Sequence, residues 1–195
     1  MNIVLSGPSG SGKGTITEVL MKIRGYQKFT TCTTRKPREH EKNGFDYYFI
    51  TLDKFLEYLN NGLMHNVREY GGNYYGSFEK DIDNINASVP TIFQLTPDRA
   101  IEMKKHNPDT LLVLVLPPNV DELKNRRNDR SVKRIEDDIK NLKDAKSYDC
   151  VLINDDLNTA VNQLMYIIDE YCLQKFCPNH ADIEETIDLF IEQFE

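Results

Sequence analysis

"GPSGSGKGT", residues 7–15, follows the apolar run "NIVLS" (2–6) and leads into a stretch with helical character. Gly7, Gly12 and Lys13 fit the spacing GxxxxGK. In such a loop glycines let backbone N–H groups turn toward an anion, and the lysine reaches the terminal phosphates of a nucleotide. A strand before and a helix after are the context this motif requires. Gly7, Pro8, Ser9, Gly10, Ser11, Gly12, Lys13, Gly14 and Thr15 are therefore the candidate phosphate ligands. Gly14 stands where a Ser or Thr usually helps to hold Mg2+. Either Thr15 takes that role, or the ion is held mainly by water and phosphate.

Further apolar runs extend the pattern. "KFTTC" (28–32), "TIFQL" (91–95), "LLVLVL" (111–116) and "CVLIN" (150–154) join 2–6 as strand candidates, with helical stretches at 13–24, 79–87, 98–106, 119–145 and 156–173. Most of the runs are continuous rather than alternating, as in parallel strands covered on both faces. Strand–helix alternation of this kind predicts an α/β fold, a doubly wound parallel sheet of five strands. Residues 45–76 break the rhythm with short antiparallel strands around a small helix, "LDKFLEYLNNG", and read as an insertion. A last helix is expected at 181–194, after "CPN".

At 195 residues the chain can bury a core without covalent staples. Its net charge of −7 argues against a general nucleic-acid binder. The excess acid sits in the tail, where Asp182, Glu184, Glu185, Asp188, Glu192 and Glu195 occur with no Lys or Arg. Ile183, Ile187, Phe190, Ile191 and Phe194 form an apolar stripe opposite them, suited to packing on its own domain or else to a homodimer or partner contact. Cys32, Cys150, Cys172 and Cys177 lack CxxC spacing and the histidines form no HxxxH pair, so no zinc site is expected. No apolar run approaches the 18 or so residues of a membrane span. A cytoplasmic protein with reduced thiols is the expectation, binding small molecules rather than nucleic acid or membrane.

A second stretch narrows the chemistry. In "TTCTTRKPREHEKNGFDYYF" (30–49), Arg35 and Arg38 flank Pro37 and make a stiff cationic fork suited to a phosphate monoester. A solvated basic loop is the plain alternative. "GGNYYGS" (71–77) adds phenols and a hydroxyl in a glycine-framed turn, all able to donate to phosphate or base.

With these pieces the chain resembles the guanylate kinase family of nucleoside monophosphate kinases. "GPSGSGKGT", "TTRKPR", "NGFDYYF", "GNYYGS" and "INDD" (153–156) occur in family order over residues 1–173. The resemblance implies a phosphate-loop core, an inserted acceptor-binding domain and a short helical lid, with ATP and Mg2+ as donor and cofactor. It places the acceptor on Thr31, Arg35, Arg38, Glu41, Tyr47, Tyr75 and Ser77, and Asn154 near the donor base. The lid would be 126–134, "RRNDRSVKR", whose Arg126, Arg130 and Arg134 match arginines that close on the transferring phosphoryl group, with Lys13 and Arg35 completing the catalytic set. Core residues 1–32 and 88–173, an insertion at about 33–87 and an acidic helical appendage at 177–195 are the implied domains.

Two departures bear on function. The lid is several residues shorter than the family's. Asn66, Gln94 and Thr96 stand where the family has carboxylates that meet guanine's N–H groups and help order magnesium's water shell. Neutral groups there predict GMP or dGMP as acceptor with weakened selectivity, improved by Asn66→Glu. Two rival readings are a kinase of this fold with another acceptor, and a non-catalytic protein-binding module. Retention of Lys13, Arg35 and Arg38 favours an enzyme.

Overall fold

The run Asn2–Ser6 is indeed a strand, β1, in the computed structural model, which describes residues 1–39, 41–126, 142, 147–176 and 178–193. The elements follow in the order α1 (Lys13–Arg24), β2 (Gln27–Lys28), β3 (Cys32–Thr33), β4 (Tyr48–Phe49), α2 (Leu52–Asn60), β5 (Met64–Tyr70), β6 (Asn73–Phe78) and α3 (Glu79–Asp83). Then come β7 (Thr91–Gln94), α4 (Pro97–His106), β8 (Leu111–Leu116), α5 (Val120–Arg126), β9 (Cys150–Ile153), α6 (Leu157–Cys172) and α7 (His180–Glu192). Two compact units result, Met1–Gln27 with Val89–Glu195, and Lys28–Ser88.

The larger unit is built on a five-stranded sheet of order β2-β7-β1-β8-β9, with β1 parallel to β7 and β8, and β8 parallel to β9. The continuous apolar runs have the expected cause. Ile3, Leu5, Leu111, Val113, Val115 and Leu152 face Ile16 and Leu20 of α1 and Ala160, Val161, Leu164 and Ile168 of α6. Val4, Leu112, Leu114 and Leu116 alternate with them and are equally buried on the other face, where α4 packs on β1 and β8, and α7 on β9. The tail stripe is consumed within this unit: Ile183, Ile187 and Phe190 are buried. Phe194 lies outside the described residues.

The smaller unit carries a sheet of order β4-β3-β6-β5 over a core of Cys32, Phe55 and Met64, with Tyr74, Val67 and Phe78 packed against it. The expectation of antiparallel pairing is corrected in part. β6 is antiparallel to β3 and β5, but β4 runs parallel to β3. Residues 34–47 form a crossover long enough to permit this. The single strand expected at 28–32 is also divided: Lys28 ends β2, and Cys32 begins β3 in the other sheet. β-branched threonines favour extended backbone without choosing which sheet receives it. Of the stretch 119–145, α5 is the helix among the described residues. The expected lid, with Arg130 and Arg134, lies outside them beyond Arg126.

Candidate active site

The loop between β1 and α1 is shaped by glycine where the backbone turns left-handed, with φ of 130° at Gly7 and 95° at Gly12. A Cβ on Gly7 would lie 2.2 Å from the Val115 carbonyl oxygen, and one on Gly12 2.0 Å from Nδ2 of Asn154. No other residue fits either position. Lys13 Nζ arches back over the loop and donates to the carbonyls of Gly7 at 2.7 Å and Pro8 at 2.8 Å. α1 has no acidic residue in its first turn, which leaves its positive end to an external anion.

Asn154 supports this loop from behind. Its backbone N–H donates to Leu116 O at 2.7 Å, continuing the sheet, and its buried amide donates to Ser11 O at 2.9 Å. Arg126, at the end of α5, donates from Nη1 to the Asn154 carbonyl at 2.8 Å and from Nε to Glu122 at 2.7 Å. Within "INDD" the final Asp156 caps α6 by accepting from Thr159 N at 2.8 Å. That backbone bond, with the Thr159 hydroxyl, holds its carboxyl below the ordinary value.

Gln94 belongs to this loop as well. Its amide donates to the hydroxyl of Thr17 at 2.7 Å, and Thr17 donates to the Lys13 carbonyl at 2.8 Å. Thr96 is exposed and hydrogen-bonds Asp98 at the start of α4. Thr15 is also exposed, and a Cβ at Gly14 would meet nothing within 4 Å.

The smaller unit gathers the other predicted side chains around Arg35. Its guanidinium grips Glu41 at two points and lies over the rings of Tyr47 and Phe49, 5.5 and 5.6 Å from their centroids. Glu41 also accepts from the backbone N–H of Arg38 at 2.7 Å, and its own N–H donates to Arg38 O at 3.0 Å. Burial works against both charges of the pair. The mutual hydrogen bonds outweigh it, raising Arg35 and holding Glu41 below the usual carboxylate range. Burial pushes the Tyr47 phenol up, reinforced by Tyr75. Tyr47 therefore stays a neutral hydrogen-bond donor at physiological pH. The Tyr47 and Tyr75 rings meet edge to face at 6.0 Å. Ser77 is buried on the same strand as Tyr75, and the Thr31 carbonyl accepts from Tyr48 N at 2.9 Å. Asn66 is exposed, with φ of 56°.

The guanylate kinase family profile matches residues 1–171. The chain belongs to the guanylate kinase family. A guanylate kinase of Clostridium acetobutylicum is 34% identical over 174 residues, 85% of this chain and 83% of that one. One of Listeria innocua is 34% identical over 177 residues, 86% of each. A crystal structure of guanylate kinase from Anaplasma phagocytophilum superposes with a TM-score of 0.69 at 27% identity, over 87% of this chain and 84% of that one.

The loop of residues 7–15 thus lies with Asn154, Arg126 and Gln94 in one unit, and Arg35, Arg38, Glu41, Tyr47, Tyr75 and Ser77 lie in the other. Gln94 and Thr96 fall in the loop's unit, not with the arginine pair. Sequence reasoning missed Thr17, Thr33 and Phe49. Thr33 accepts from Arg35 N at 3.2 Å and donates to Tyr74 O at 2.9 Å, tying the arginine turn to β6. Its place as the first residue of "TTRKPR" was the available signal. Among the described residues no group of three or more His, Cys, Asp or Glu could hold a metal, and no helix is long and apolar enough to cross a membrane. Burial pushes the Cys32 and Cys150 thiols up to about 12, so neither is a nucleophile at neutral pH.

Proposed function

We propose that this chain transfers the γ-phosphoryl group of ATP to GMP or dGMP, giving GDP or dGDP. The observation that carries the reading is a phosphate loop with Lys13 Nζ held over its Gly7 and Pro8 carbonyls, in a chain that also builds the Arg35–Glu41–Tyr47–Tyr75 cluster. A binding module that had lost catalysis would need neither.

Backbone N–H groups of residues 7–15 would cradle the donor phosphates, with Lys13 placed to neutralise charge on the group in flight. Arg35, Arg38, Tyr47 and Tyr75 would orient the acceptor phosphate by charge-assisted and phenolic hydrogen bonds. Arg126 already stands beside the loop through Asn154. Arg130 and Arg134 are assigned to the lid on the family resemblance.

The residues fit magnesium carried in with the nucleotide rather than a dedicated protein cage. Gly14 offers no side-chain oxygen, the Gln94 amide nitrogen donates to Thr17, and Thr15, one residue on, is exposed. Bound there with phosphate and water, the ion would shield the phosphate charge.

The test is ADP release coupled to a reporter, with GMP, dGMP, AMP, CMP and UMP as acceptors. GMP or dGMP should be turned over, and Lys13→Ala should reduce kcat about 100-fold or more while the fold persists. Absence of turnover with every monophosphate would refute the proposal.

A further inference from the structure

The phosphate loop is held on both sides by an amide at the C-terminal end of a core strand. On one side Asn154, directly after β9, donates to Ser11 O. On the other Gln94, the last residue of β7, reaches the first turns of α1. β7 lies on one flank of β1, and β8 with β9 on the other, so the two amides approach the loop from opposite sides of its own strand.

Gln94 acts along a chain of hydrogen bonds with a fixed direction. Its Nε2 donates to Thr17 Oγ1 at 2.7 Å and lies 3.4 Å from the Lys13 carbonyl oxygen, so the nitrogen end of the amide faces both. Thr17 is fully buried, and its single hydroxyl proton goes to that same carbonyl at 2.8 Å. With its proton committed, Thr17 can only accept from residue 94. An amide supplies the donor this requires, whereas an ionised carboxylate only accepts. A glutamate here would draw the Thr17 proton to itself and take the hydroxyl away from Lys13 O. The neutral side chain at 94 is thus matched to Thr17 of the same chain.

The start of α1 has few other fixings. Gly12 gives no side-chain cap, the first turn holds no acidic residue, Thr15 is exposed, and a Cβ on Gly14 would meet nothing within 4 Å. Burial begins only with Ile16 and Thr17. Yet this turn carries Lys13, whose Nζ is held over the Gly7 and Pro8 carbonyls. A charge that acts by being preorganised loses effect when its backbone is loosened.

We propose that Gln94 and Thr17 are a positioning pair that fixes the Lys13 turn for the donor phosphates, so that Gln94 serves ATP and not the acceptor. The inference rests on the ATP-binding part of the kinase reading above and adds how the loop is held and which substrate Gln94 serves.

The test is equilibrium titration of the full chain with ATP and with GMP, backed by thermal melts and steady-state kinetics. The variants are Gln94→Leu, Gln94→Glu, Thr17→Val, Thr17→Ser and the double Gln94→Leu/Thr17→Val. Kd for ATP should rise about tenfold in Gln94→Leu and in Thr17→Val, and at least as far in Gln94→Glu. Kd for GMP should stay within about threefold, and kcat/KM for ATP should fall with the affinity. Thr17→Ser keeps the hydroxyl and should recover most of what Thr17→Val loses. The double variant should bind ATP about as weakly as either single one, because the two residues act through one chain. Unchanged ATP affinity in folded Gln94→Leu and Thr17→Val proteins, even with a lowered Tm, would overturn the proposal. So would tighter ATP binding in Gln94→Glu, or a loss that falls on GMP instead. A wild type inactive on every monophosphate would refute the kinase reading alone, since the ATP titrations decide this inference without turnover. A wild type that binds no ATP would remove both.

Discussion

The guanidinium of Arg35 and the carboxylate of Glu41 are joined at two points, Nη1 to Oε2 at 2.9 Å and Nη2 to Oε1 at 2.7 Å. With Arg38 N on the same carboxylate, Glu41 sets the spacing of both arginines proposed for the acceptor phosphate. Glu41→Gln should therefore weaken GMP binding through the geometry of the fork, by about 1–2 kcal/mol, with ATP binding unchanged. Isothermal titration with each nucleotide measures both.

The same pair has a pH signature. Glu41's carboxyl is held below its ordinary value, so its contribution is fully present above about pH 4.3 and is lost as pH falls through the lower folded value. Stability from this pair should be flat from pH 5 to 8 and decline only in acid. NMR titration of the Glu41 carboxyl should show the depressed value in the wild type and a return toward the ordinary one in Arg35→Ala.

Asn154 sits behind the phosphate loop, and its contribution to donor binding should be felt through Ser11 and Gly12. Asn154→Ala leaves the Ser11 carbonyl without that donor, at a cost of about 1–3 kcal/mol. KM for ATP should rise while KM for GMP holds. If a GTP or CTP donor loses as much as ATP, the loop and not the base is what Asn154 serves.

Asn66 is constrained by its backbone. Asn66→Glu places a longer side chain at φ of 56° and should cost about 1 kcal/mol of stability, whereas Asn66→Gly should be nearly neutral. The gain in guanine selectivity expected from a carboxylate at this position is therefore opposed by strain. Thermal melts of the two variants compare the costs directly.

The tail helix is part of the larger unit's core. Ending the chain at residue 176 removes Ile183, Ile187 and Phe190, at about 1.5–3 kcal/mol for each buried side chain. The truncated protein should melt well below the full chain. An unchanged Tm would mean that α7 contributes little to stability.

Local order was legible in the residues alone. The phosphate loop needs only glycine, lysine and their spacing, and strands buried on both faces announce themselves as unbroken apolar runs such as Leu111–Leu116. The apolar stripe of the tail is equally local, as Ile183, Ile187 and Phe190 illustrate. What a side chain touches across the chain is not local. Period-two alternation puts Gln94 on the Ile92 face, toward α1, but only the packed sheet brings it to Thr17. One extra residue at Asn66 sends Arg68 to the Tyr75 face, a switch that strand pairing decides and composition does not record. Hydrogen bonds such as Asn154 to Ser11 join residues far apart in sequence, so they exist only once the fold has already brought those strands together.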